Sequence, residues 1–326
     1  MAAWLSHAQA EGRFEFKSPT NLFLDYSYVG FSPSEIKING NPDSPVGLLF
    51  EAQIAPNLFF PQLHFGAVNR PSGETVLSLV LTPRIRLRML NEDSSPVIPP
   101  SFMPKLTLQL LHLRALDGRE DARRGLLMGA HLIAGHHSNG QSGCFFANQT
   151  GSDPHCTPEG QLPLNEVSGS FSTNYLRGEL HGRYIFNADE AFQSGWVVGL
   201  SAAVETNLSG GAGGISADQR EVYGDGLYEI QGTLQRLWSG NRARATIGAS
   251  YPYGETPSRG PTVSVEAALM PEWAGGFGLF ARHVSGRDYY NILFLERVNL
   301  WLIGVIFELG PGVNIPLPDQ KGVLTN

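Results

Sequence analysis

The chain has 326 residues, 42% of them hydrophobic and only 16% charged, with 38 glycines, 22 prolines and a net charge of −7. Typical soluble domains carry about 25% charged residues, and an acidic balance without a basic stripe excludes a nucleic-acid surface. No run of about 18 apolar residues occurs, which excludes a transmembrane helix, and the two cysteines are too few for a disulfide scaffold or a four-thiolate zinc site.

Met1 to Ala10 reads MAAWLSHAQA and ends on Ala8-Gln9-Ala10, the small-residue pattern of a signal-peptidase site. The apolar stretch before it is shorter than a complete signal, so residues 1–10 read as a possible signal-peptide remnant. Beyond them the recurring pattern is strict alternation, the period of a β-strand. Leu22, Leu24, Tyr26 and Tyr28 alternate with Asn21, Asp25 and Ser27, and Val46, Leu48, Phe50, Ala52 and Ile54 with Gly47, Glu51 and Gln53. Thr75 to Met89 is the cleanest case, with Leu77, Leu79, Leu81, Ile85, Leu87 and Met89 on one face and Ser78, Thr82, Arg84, Arg86 and Arg88 on the other. Leu106, Leu108 and Leu110 follow, then Tyr228, Ile230 and Leu234, then Ala243, Ala245 and Ile247, then Val263, Val265, Ala267 and Leu269. Further strands are expected near 125–138, 172–186, 194–206, 275–284 and 297–308.

Any one such strand fits a soluble sandwich. About twelve of them, with weak helical periodicity and Gly/Pro/Asn-rich turns at Asn39–Pro45, Asn91–Pro104 and Asn207–Asp218, predict something else. The fold class is all-β, a single antiparallel transmembrane β-barrel over residues 11–310, apolar toward lipid and polar toward the lumen. Its place is the bacterial outer membrane, and residues 311–326 form a C-terminal tail. The longest irregular stretch, about Gly140 to Ser168, is a loop inserted after the fifth strand, and it holds Cys144 and Cys156. In an oxidising compartment these two close a disulfide; otherwise they are a pair of free thiols. The arginines Arg84, Arg86, Arg88, Arg242 and Arg244 are expected to fill the lumen as ion pairs, and Trp196, Trp238 and Trp301 to sit in interfacial girdles.

The strand from Gly125 to Ser138 carries the chemistry. Its even positions read Leu126, Met128, Ala130, Leu132 and Ala134, then His136 and Ser138. A polar pair therefore ends a lipid-facing stripe, where such groups are costly unless they are used. Residues i and i+2 on a strand share a face about 6.5–7 Å apart, within reach of a histidine–serine hydrogen bond. Asn174 on the next strand has the parity of the apolar residues Leu176 and Leu180, so it belongs on the same outer surface and suits the residue that orients the base. His131, His137 and His155 have no cysteine or carboxylate partner at metal-ligand spacing, and His131 and His137 have lumen parity.

Gly135-His136-His137-Ser138-Asn139-Gly140 followed by Ser170-Phe171-Ser172-Thr173-Asn174 resembles the active-site signature of the outer membrane phospholipase A family. Thr20-Asn21-Leu22, Glu92-Asp93-Ser94-Ser95-Pro96 and Val284-Ser285-Gly286 extend the similarity along the whole barrel. The resemblance implies a calcium-dependent enzyme that hydrolyses acyl esters of membrane phospholipids and works as a homodimer in the lipid bilayer. By motif, Ser138 resembles the nucleophile, His136 the general base, Asn174 its orienting partner, and the Gly140 amide an oxyanion donor. Calcium is expected on the Gln141 carbonyl, the Ser170 hydroxyl and, from the partner chain, Ser94; oxygen-only ligation suits that ion. The cysteine-bearing loop departs from the family pattern, and Ser152-Asp153-Pro154 within it offers an alternative acidic ligand. Two other functions compete: a deacylase of another lipid such as lipid A, which would be expected to use an acidic orienting residue, and a non-catalytic barrel.

Overall fold

The computed structural model describes residues 22–36, 45–66, 73–93, 97–119, 122–146, 164–189, 192–210, 213–254 and 260–308. The signal remnant at 1–10 and the tail at 311–326 lie outside them. Fifteen strands run in chain order: β1 Ser27–Phe31, β2 Glu35–Ile36, β3 Val46–Ile54, β4 Leu58–Phe59, β5 Leu63–Gly66, β6 Glu74–Leu90, β7 Val97–Arg119, β8 Ala122–Ser138, β9 Ser172–Ala188, β10 Gly195–Leu208, β11 Gly226–Trp238, β12 Asn241–Tyr253, β13 Thr262–Met270, β14 Phe277–Arg287 and β15 Arg297–Phe307. Every pairing among them is antiparallel, and β1 closes the sheet by pairing with β15 on one side and β3 on the other. The short β2 continues β1 along β3, and β4 and β5 continue β3 along β6. The fifteen strands thus occupy twelve positions around a closed wall.

Alternation explains both faces of that wall. Outward residues are apolar and exposed, among them Leu132 (59%), Leu180 (67%), Leu200 (59%) and Leu279 (66%). A continuous belt of this kind is untenable in water and is the lipid-facing band of a membrane barrel. No helix among the described residues is long and apolar enough to cross a membrane; this chain crosses with strands. Closed even-stranded barrels of this kind are the spanning architecture of bacterial outer membranes, and that is where the chain resides.

The two rims differ. At one, the connections are tight, as at Ser239-Gly240, where φ of +46° and +77° make the primed turn that matches strand twist. At the other, β8 leads to β9 through residues 139–171 and β10 to β11 through residues 209–225, which carry helix α1 (Ala217–Tyr223). Aromatic residues gather at each end: Phe186 on Trp196 and Phe277 on Phe307 at the short-turn rim, Phe31 on Phe50 at the long-loop rim. Short turns face the periplasm and long loops the exterior in such barrels.

The lumen is filled by charge. Arg88, fully buried, binds Glu51 and Asp288 at 2.7 Å each. Glu266 takes Arg244 at 2.9 Å and Arg282 at 2.7 Å, Arg177 takes Glu179 at 2.6 Å, and Asp25 takes Lys105 at 2.8 Å. The arginines of the alternating strands therefore do what their parity predicts.

Three expectations need correction. Tyr26 and Tyr28 do not face lipid: Leu22 to Tyr26 runs inside the lumen, and Tyr28 is buried there with its hydroxyl on Glu51. Their hydroxyls need partners that hydrocarbon lacks. In β3 a bulge between Leu48 and Phe50 shifts the register, so Leu48 turns inward while Phe50 and Ile54 stay outside. The turn expected at Asn91–Pro104 also ends early. Val97 to Pro104 is strand, and Pro99 and Pro100 sit at the register shift opposite Arg86/Arg88, where a missing N–H is tolerated.

Replacing Arg88 with alanine leaves Glu51 and Asp288 buried without their counter-charge. The expected loss is about 3–5 kcal/mol, read as a lower urea midpoint for the refolded barrel.

Candidate active site

His136 and Ser138 end β8 at the long-loop rim, and the register sets His136 opposite Asn174 and Ser138 opposite Ser172 on β9. All three candidate residues are half-buried and lie on the outer face, as alternation requires. His136 Nδ1 stands 2.7 Å from Asn174 Oδ1. The amide oxygen can only accept, so Nδ1 carries the hydrogen, and in the neutral ring the lone pair falls on Nε2. That is the tautomer of a base, with Ser138 two residues along the same face.

His137, between them, points the other way. It packs edge-on against Phe171 at 4.9 Å inside the barrel and belongs to the lumen, as its parity predicts.

Beyond Ser138 the chain is held by Asn139, a residue the motif contains but to which the sequence reading assigned no role. It is 1% exposed; its Nδ2 donates to the Gly169 carbonyl at 2.7 Å, and its Oδ1 accepts from the Phe171 amide at 3.0 Å and the Gln141 amide at 3.3 Å. One side chain thereby ties 139–141 to 169–171. Gly143 and Gly169 form a bridge beside it, with the Ser170 amide donating to the Gly143 carbonyl at 2.8 Å. The clamp brings Gln141 and Ser170 onto one pair of segments just past Ser138. Gly140 lies between, at a φ of +67°, and a Cβ there would approach Phe102 to 3.3 Å. Phe102 is the cross-strand partner of Ser138 and presents an apolar ring to lipid next to it.

The β10–β11 connection closes over the pair from the other side. Gly213, at a φ of +80°, sits so near that a Cβ would lie 3.2 Å from His136 Cε1 and 3.4 Å from Asn174 Nδ2. Its carbonyl accepts from Ser172 Oγ at 3.5 Å. Helix α1, opened by a capping box on Ser216 and Gln219, fixes this connection. Gln219 Nε2 donates to the Ser170 carbonyl at 3.1 Å, and Val222 and Tyr223 join Phe145, Phe146, Phe171 and Ile292 in a buried cluster over the rim. Burial pushes the Tyr223 phenol above its ordinary range, so it stays protonated and donates to the Asn291 carbonyl at 2.7 Å. The only sequence sign of this covering loop is its glycine run from Gly210 to Gly214, broken by Ala212.

Of the other predicted residues, Ser94, Ser152, Asp153, Pro154, His155 and Cys156 lie outside the described residues. Cys144 is disulfide-bonded.

No family model and no curated protein matches the chain. Among solved structures, outer membrane phospholipase A from Escherichia coli is similar at 15% identity and a TM-score of 0.46, over 87% of this chain and 93% of that one. The calcium-bound dimer of the outer membrane phospholipase from Salmonella typhi is similar at 14% identity and a TM-score of 0.44, over 87% and 91%.

Substituting Asn139 with alanine leaves the Phe171 amide and Gly169 carbonyl unmet, at about 1–3 kcal/mol for each buried group. Faster amide hydrogen exchange at Phe171 and Gln141, with the barrel strands unchanged, is the expected result.

Proposed function

We propose that this barrel is an outer-membrane phospholipase that hydrolyses acyl esters of glycerophospholipids through Ser138, His136 and Asn174. The observation that carries the reading is the 2.7 Å hydrogen bond from His136 to Asn174 on the lipid-facing surface, with Ser138 on the same strand face. A lumen enzyme or a channel has no use for a base oriented toward the bilayer. The long-loop rim places the group at the level of the outer leaflet, so a lipid enters sideways without leaving the membrane. Asn174 also suits the surroundings, because a neutral amide orients the imidazole without setting a carboxylate beside hydrocarbon.

In this mechanism His136 Nε2 takes the Ser138 proton as Oγ attacks the ester carbonyl. The Gly140 amide donates to the developing oxyanion. His136 then returns the proton to the departing lysophospholipid oxygen, and Ser138 retains the acyl group as an ester. Water, deprotonated by His136, attacks that ester; the fatty acid leaves and Ser138 recovers its hydrogen. Phe102, beside Ser138, supplies apolar contact for the acyl chain.

Calcium fits the donors at hand. The Asn139 clamp ties Gln141 to the segment that carries Ser170; the donors these residues offer, the Gln141 carbonyl and the Ser170 hydroxyl, are neutral oxygens, and hard oxygen ligands are those calcium takes. These two residues would hold the ion, with Ser94 from a second copy, and the bound ion would supply positive charge near the oxyanion. A homodimer is the assembly that brings such a residue in.

Fatty-acid release from phospholipid in detergent micelles tests the reading. Ser138→Ala is expected to abolish turnover, Asn174→Ala to lower it by about 10–100-fold through misorientation of His136, and chelation of calcium to lower it reversibly. Full activity in Ser138→Ala would overturn the mechanism; activity indifferent to chelator would remove calcium and leave the triad. Gly213→Ala, which crowds the His136–Asn174 pair and strains a left-handed backbone by about 1 kcal/mol or more, is expected to reduce kcat by tenfold or more with little change in KM.

A further inference from the structure

We propose a second site, inside the lumen, where His131, Glu179 and His181 bind one divalent transition-metal ion of the zinc class. His131 on β8 and Glu179 on β9 are direct cross-strand partners, and His181 follows Glu179 by two residues on the same inward face. His131 Nδ1 and His181 Nε2 lie 3.1 and 3.2 Å from the same oxygen, Glu179 Oε2, and the three ligand atoms fall within 4.8 Å of one another. A tetrahedral zinc ion with bonds of about 2.0–2.1 Å spaces its ligands about 3.3–3.4 Å apart. Each histidine therefore stands from the shared carboxylate oxygen at nearly the separation that one ion demands, and the two rings close the remaining distance by a small rotation.

Each ligand is also held from behind by a different neighbour. His181 Nδ1 is 2.8 Å from Ser201 Oγ, Arg177 Nε donates to Glu179 Oε1 at 2.6 Å, and the Gln109 side chain reaches His131 Nε2 at 3.3 Å. Outer partners of this kind fix ring orientation and leave the facing atoms to the metal. Arg177 does not neutralise Glu179 alone, since it also contacts Glu205 at 3.6 Å and Glu229 at 3.0 Å. Gln109 is fully buried and its Oε1 has no hydrogen-bond partner. With the amide turned, that oxygen accepts the Nε2–H of a metal-bound His131, in exchange for its present bond to the Leu22 carbonyl. Phe23 walls one side, stacked on His181 at 4.2 Å. Glu179 and His181 line a lumen cavity of about 520 Å³, which gives the ion a way in and water its fourth position.

Binding shifts both histidine tautomers. In the arrangement described, Gln109 donates to His131 Nε2, so Nδ1 carries a hydrogen toward Glu179, and His181 Nε2 carries another toward the same oxygen. On metal binding the first hydrogen moves to His131 Nε2 and the second to His181 Nδ1, which donates to Ser201 Oγ, and the two freed nitrogens take the ion.

Cobalt(II) is the probe, added to the refolded, untagged full-length barrel. The expected result is one equivalent per chain with the visible absorption of a tetrahedral nitrogen–oxygen site, displaced by zinc. The signal should vanish in His181→Gln and in His131→Asn, each checked for barrel folding by its melting transition, and persist unchanged in Ser138→Ala. No cobalt spectrum from the wild-type barrel, or one that survives both histidine substitutions, overturns the proposal. Neither result touches the esterase reading, which is measured separately by fatty-acid release.

Discussion

The structure depends on one closure, the ladder between β1 and β15 that pairs Ser27 with Phe307 and Phe31 with Ile303. In a bilayer no water meets an unpaired N–H or C=O, and each one left open costs several kcal/mol. A sheet can cross only if its first and last strands find each other. Once they do, every wall strand has two neighbours and one residue in two is committed to lipid. The long apolar belt and the charged lumen are consequences of that commitment.

The lumen meets the same demand from inside. Small barrels must fill their interior with side chains, and this one does so with buried charges that balance one another across the bore. Arg88, Glu51 and Asp288 link three separate elements, as do Tyr26, Glu266 and Arg282. Such networks tolerate little loss, because each partner removed leaves another buried without its counter-charge. The segment from Leu22 to Tyr28 is drawn toward this interior, which is why its two tyrosines turned away from the lipid they were expected to face.

Against that interior, the outward pair is the exception to the pattern. Lumen-facing His131, His137 and His181 stand where polar residues belong. His136 sits on the other parity, and its hydrogen-bond partner Asn174 arrives from the neighbouring strand at the same height. Above it, two connections converge: residues 139–171, tied by Asn139, and residues 209–225, which set Gly213 on the imidazole and Gln219 on Ser170. The candidate site is rigid where the strands hold it and shaped where the loops cover it.

Much of this was legible in the residues alone. Period-two alternation is a local property, so it marked the strand count, the faces of β6 to β15 and the shared side of His136, Ser138 and Asn174. It failed where local pattern is not the deciding force: at Leu48, which a bulge reverses, at Tyr26 and Tyr28, whose hydroxyls choose the lumen, and at the strand-forming prolines after Val97. It was silent on Asn139, Gly213 and Gln219, and it left His131 without its metal-ligand neighbours. Those contacts join residues far apart in the chain, and they exist only after closure has set the register between β8 and β9. The sequence by itself determined which face the side chains of the regular strands would take. Which side chains would meet on that face was decided by the barrel, because register is a long-range pairing that no local period encodes.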